Sequence, residues 1–76
     1  MVELVEVIAK SLVDDPEAVE VSSSIEKQTT IVKLRVAPED MGKVIGKHGR
    51  IAKALRTVVK AAATKSNEKV VVEIVQ

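Results

Sequence analysis

Gly46-Lys47-His48-Gly49 sets a lysine and a histidine between two glycines, with Val44 and Ile45 in front and Arg50 behind. Glycine on both sides lets the chain reverse sharply and lets a sugar-phosphate approach without a Cβ in the way. Lys47 puts a cation at the turn, and Arg50 and Lys53 carry positive charge into the segment that follows. His48 can donate a hydrogen bond to a phosphate oxygen. A helix starting behind the loop would add backbone N–H groups and the positive end of its dipole. The chemistry on offer is the holding of an anion.

Bond-making chemistry has no equivalent support. There is no cysteine and one histidine, and Ser22-Ser23-Ser24 has no base near it in sequence. No spacing of acids and histidine suits a metal ion. A nucleotide-hydrolase phosphate loop would need an earlier glycine where Met41 stands and Ser or Thr where His48 stands. No catalytic residue, metal or cofactor is expected.

The net charge of +1 conceals a split. Residues 1–26 carry seven acids and one base, Lys10, whereas residues 41–65 carry seven bases and no acid. Surface helices ordinarily mix signs to form i,i+4 pairs, so an acid-free stretch of this length predicts one face that attracts polyanions. Phe, Tyr and Trp are absent. Modules that read single strands by stacking bases on rings are thereby excluded. A nucleic-acid binder made from this chain must hold the backbone and offer the bases an aliphatic groove.

The elements that must position the loop follow from periodicity. Residues 2–13 predict a helix with Leu4, Ile8 and Leu12 on one stripe, Val5 beside them, and a Glu6–Lys10 pair. Asp14-Asp15-Pro16 ends it, since the residue before proline is pushed out of the helical region. Residues 18–26 predict a strand with Val19, Val21 and Ile25 inward and Ser23 a weak point on that side. Lys27-Gln28 reverses the chain into a second strand, 29–37, with Val32, Leu34 and Val36 facing one way and Lys33 and Arg35 the other. Pro38-Glu39-Asp40 starts a short helix to 45, its acids serving as caps, and Gly46 stops it. A long helix runs from about Gly49 or Arg50 to Lys65, and residues 69–75 form a last strand. The order is α-β-β-α-α-β. The return through two helices is long enough for a parallel crossover, which predicts one α+β domain over 1–76 with a three-stranded mixed sheet covered on one face by helices.

In that context Val44-Ile45-Gly46-Lys47-His48-Gly49 resembles the signature of KH domains, in which a GxxG loop between two helices clamps the backbone of about four nucleotides. The element order resembles the type II, bacterial arrangement, and the stretch from Gly42 to Val59, with the total length, looks like the small bacterial proteins made of a single KH domain. The resemblance covers essentially the whole chain. It implies a cytoplasmic, non-enzymatic protein that binds single-stranded RNA, of the RNA-chaperone or post-transcriptional-regulator type. It implies an RNA site at Val44, Ile45, Gly46, Lys47, His48, Gly49, Arg50 and Lys53, with Val44 and Ile45 as candidates for apolar contact with bases. By the family pattern the groove lies between the short helix with its loop and the second strand. Many KH domains carry isoleucine three residues after the second glycine. Here Ala52 stands there, which predicts a shallower or differently shaped groove.

On a helical wheel the apolar residues of 50–65 cover about 200°, wider than the ~100° a core-facing helix needs. Arg50, Lys53, Arg56 and Lys60 fill the rest. The surplus is either harmlessly exposed alanine or a contact surface, and Val58 and Ala61 are the candidates for a homodimer interface. The resembled proteins also associate with a larger KH-containing RNA-binding partner. An alternative function is therefore a protein-interaction subunit with little RNA binding of its own. No apolar run approaches the ~18 residues of a membrane span, and no membrane association is expected.

Overall fold

A computed structural model describes residues 1–75 of the chain. Helix α1 spans Val2–Leu12, strand β1 Glu20–Glu26 and strand β2 Thr29–Arg35. Helix α2 spans Met41–Ile45, helix α3 Arg50–Lys65 and strand β3 Val70–Val75. Single 3₁₀ turns at Pro16–Ala18, Pro38–Asp40 and Lys47–Gly49 precede β1, α2 and α3. The expected order is therefore observed, with strands slightly shorter than the patterns suggested. The 38–45 segment is a 3₁₀ turn followed by a five-residue α-helix.

The sheet has the order β1-β2-β3, with β1 and β2 antiparallel and β2 and β3 parallel. This is the mixed three-stranded α+β architecture of a type II KH fold. The parallel pair follows from the connection, since two helices supply the length that a crossover needs. Val32, Leu34 and Val36 are buried as their alternation implied, and they join Val5, Ala9, Val44, Leu55, Val59 and Val72 in one core. Lys33 and Arg35 project from the opposite face.

Two inward assignments change. In α1 the fully buried residues are Val5 and Ala9, and Leu4 is only half-buried. The helix is turned by a fraction of a residue step from the Leu4–Ile8–Leu12 stripe, because valines at 2, 5 and 13 widen its apolar arc. Ile25 is 76% exposed. It pairs with Thr30 beside the hairpin turn, at the end of an edge strand that otherwise buries only Val21 in part.

Lys27 and Gln28 both have positive φ, 49° and 68°, as a two-residue turn of type I′ requires. Asn67, at φ 56°, closes α3. Its N–H donates to the Thr64 carbonyl and that of Glu68 to the Ala63 carbonyl, the two bonds of a Schellman motif.

Candidate nucleic-acid interface

The loop is held by its own backbone. Gly46 N–H donates to Gly42 C=O at 2.8 Å, Gly49 N–H to Gly46 C=O at 3.1 Å, and Arg50 N–H to Lys47 C=O. These bonds occupy three N–H groups of the junction and leave those of Lys47 and His48 at the tip. His48 sits at φ 57° and ψ 26°, a left-handed conformation that histidine tolerates better than most residues. Lys47 and His48 are both exposed.

The two glycines do different work. Gly46, at φ 76° and ψ 173°, lies in a region open essentially to glycine alone. A Cβ there would meet Ile51 and not a ligand. Gly49, at φ 73°, has nothing within 4 Å of its Cβ position. Of the pair, only Gly49 leaves open space where a sugar-phosphate could come close.

Val44 is fully buried and belongs to the core. It cannot touch a base, which corrects its place among the candidate contacts. An aliphatic pair at the end of a helix one turn long must put one member inward, and Ile45, 37% exposed, is the outward one. Ala52, in the first turn of α3, is buried on the inner face of that helix.

Charge around the loop also sorts itself. Lys43 pairs with Asp14 and lies 3.3 Å from Asp40 Oδ1. It is thereby withdrawn from the basic face on which sequence alone placed it. Asp40 is 1% exposed and makes no cap bond to α2, contrary to the capping expectation. Its Oδ2 accepts a 3.1 Å hydrogen bond from the Asp15 N–H, tying the turn after α1 to the start of α2. Burial pushes the Asp40 carboxyl up. The Asp15 and Asp14 backbone N–H groups and the Lys43 ammonium outweigh this and hold it below the ordinary carboxylate value. The Asp14 hydrogen bond raises the Lys43 ammonium against the opposing effect of burial, and Asp40 adds to the rise. Among the described residues Lys47, Arg50 and Lys53 form no ion pair, so the tip and first turn of α3 keep their full positive charge.

β2 is the central strand and is paired on both sides, so its backbone edges are engaged within the sheet. Arg35 lies 4.0 Å from Glu20 on the far face. The strand beside the long helix is β3. Arg56 Nε donates to the Val72 C=O at 3.3 Å, a contact that sequence reading missed. Periodicity placed Arg56 on the basic flank but gave no sign of what that flank faces. Lys53 and Lys60 lie within about 60° of Arg56 on the wheel, and Val58 is about 160° away. The basic flank therefore runs along the open edge of β3. Val58, 46% exposed, and Ala61 face away from it.

The sequence that builds this topology and this loop is similar to those of known proteins. The family model described as KhpA/KhpB, KH domain, matches residues 2–74. The chain belongs to the KhpA/KhpB family of KH domains. It is 68% identical over 75 residues to RNA-binding protein KhpA of Clostridium perfringens, covering 99% of this chain and 100% of that one. It is 65% identical to the protein of the same name from Clostridium acetobutylicum, with the same coverage. Identity to the KhpA of the distant Aquifex aeolicus is 46%, over 97% of this chain and 94% of the relative. KH domains are nucleic-acid-binding modules and not enzymes. Among the described residues no helix is long and apolar enough to cross a membrane, and no group of acids and histidine could hold a metal ion.

Proposed function

We propose that this chain is a single-domain, non-enzymatic protein that binds single-stranded RNA, of the RNA-chaperone or post-transcriptional-regulator type, in the cytoplasm. Gly46, Lys47, His48 and Gly49 clamp the sugar-phosphate backbone, Arg50 and Lys53 neutralise the next phosphates, and Ile45 offers an apolar contact to a base. The observation that carries this reading is the unpaired trio Lys47, Arg50 and Lys53 around a loop whose Gly49 is open to close approach. The relatives' name, RNA-binding protein KhpA, supports RNA as the polymer.

The test is fluorescence anisotropy with a labelled single-stranded RNA, a matched DNA strand, and a Lys47→Asp/His48→Asp variant. Asp tolerates the left-handed position of His48, so the variant keeps its fold. Its binding should be lost. For the parent protein, log K should fall with log salt at a slope of about 2, from three phosphates at about 0.7 each. Normal RNA binding by a folded variant would sink the clamp.

A second reading is favoured by one observation, the exposure of Val58 and Ala61 on the flank of α3 turned away from β3. This flank is a pairing surface for a second copy or for a larger KH-containing RNA-binding protein. The chain would then organise a partner, and dimerisation would raise a weak four-nucleotide affinity through avidity.

A further inference from the structure

The loop occupies only one end of the α3–β3 seam. At the other end, where the last turns of α3 meet the starts of β3 and β2, lies an open cleft of about 490 Å³. Lys60 and Lys69 line it, with Thr29, Thr64 and the apolar Val70 and Val71. Glu68 is the one acid at its rim. Neither Lys60 nor Lys69 forms an ion pair among the described residues. The Thr64 hydroxyl is engaged with the Lys60 carbonyl at 2.9 Å.

The path between the two ends is continuous in charge and backbone polarity. Thr30 N–H donates to Lys69 C=O at 2.8 Å. In a parallel ladder the bonding residues alternate. Lys69, Val71 and Glu73 therefore turn their backbone groups to β2, and Val70, Val72 and Ile74 turn theirs to the free edge. Arg56 covers one of these, the Val72 carbonyl. Among the described residues nothing covers the groups of Val70, next to the cleft. From Gly49 to Lys60 the helix rises about 16 Å, and that flank carries Lys53, Arg56 and Lys60 with no acid.

We infer that the cleft between Lys60 and Lys69 is a second nucleotide subsite, which takes a phosphate and base of the same single strand after it leaves the GxxG loop. The occupant is the polyanion itself. Two unpaired cations lining a cleft of this size suit a phosphate, and Val70 with the 48%-exposed Val71 suits a base face where no ring is present. The protein's site is then about six to eight nucleotides long and not the about four of the loop alone. This rests on the clamp reading and deepens it.

The test measures affinity of the full chain for single-stranded RNAs of four, six, eight and ten nucleotides, beside a Lys60→Gln/Lys69→Gln variant and the Lys47→Asp/His48→Asp variant. Parent affinity should rise at least about tenfold between four and eight nucleotides and then level off. The Lys60/Lys69 variant should bind the tetramer as the parent does and lose that rise. Its salt slope on the octamer should fall by about 0.7, the contribution of one phosphate. A parent with no gain beyond four nucleotides overturns the subsite, as does a variant that weakens tetramer and octamer equally. Tetramer binding that survives Lys47→Asp/His48→Asp would instead refute the clamp, so the two failures are told apart. Thermal melts of both variants establish that each is folded.

Discussion

Gly46 is packed against Ile51 so closely that a Cβ on the glycine would fall 2.6 Å from Ile51 Cγ1 and 2.9 Å from both the Ile51 Cβ and its backbone nitrogen. The first glycine of the loop therefore joins the end of α2 to the first turn of α3. Gly46→Ala combines a glycine-only conformation with overpacking, each worth about 1–3 kcal/mol, and should destabilise by about 2–6 kcal/mol. Adding Ile51→Ala should recover only part of this, because the backbone nitrogen remains in the way. Gly49→Ala meets open space and should lose only about 1–2 kcal/mol from its left-handed backbone, while its added methyl weakens RNA binding. Urea melts and anisotropy on the same proteins separate the two roles. Equal stability losses at both glycines would contradict the assignment.

Asp40 links acidity to the mounting of the loop. Its carboxyl is held below the ordinary value in the folded protein. The stability it contributes is thus complete above the unfolded carboxylate pKa of about 3.9 and disappears as pH falls through the lower folded value. Asp40→Asn should lower Tm at pH 7, and the gap to the parent should narrow as pH falls below the ordinary carboxylate value of about 3.9. The raised Lys43 ammonium adds stability that is present below its ordinary value and lost only at strongly alkaline pH, so it leaves this acid window unchanged. A gap that is constant from pH 7 to pH 2 would show that the carboxylate charge is not what Asp40 contributes.

The hairpin turn carries backbone strain. Lys27 and Gln28 hold left-handed conformations that glycine adopts freely. Gln28→Gly should stabilise the chain, the relief of about 1–2 kcal/mol of left-handed strain exceeding the entropy that glycine adds to the unfolded state. A net gain of about 0.5–1 kcal/mol in denaturant midpoints, with RNA affinity unchanged, is expected. A loss of stability would mean that the Gln28 side chain is needed.

Val58 and Val59 are sequence neighbours with opposite surroundings, one 46% exposed and the other 1%. Val58→Asp should fold and shift the protein to a monomer in analytical ultracentrifugation, with Ala61→Glu behaving alike. Val59→Asp buries a charge in the core and should unfold the chain. If Val58→Asp sediments like the parent, the α3 flank is not the pairing surface.

By itself the sequence determined the order of elements, the stop at Gly46, the inward alternation of Val32, Leu34 and Val36, and the exposed Lys47 and His48. Each of these depends on spacings of a few residues, where period, proline, glycine and dipole act locally. What only the tertiary structure decided depends on partners far apart in the chain. Asp14 lies 29 residues from Lys43 and removes it from the basic face. Strand order makes β2 central and gives the basic flank of α3 to β3. Val44 and Ile45 are equally apolar in sequence, and only the packing of α2 on α1 and α3 sends one into the core and leaves the other beside the loop. Ile25 fits the inward register of β1, yet no helix reaches far enough along the sheet to cover it. A local pattern states which way a side chain points on its own element, and the fold alone decides what lies there.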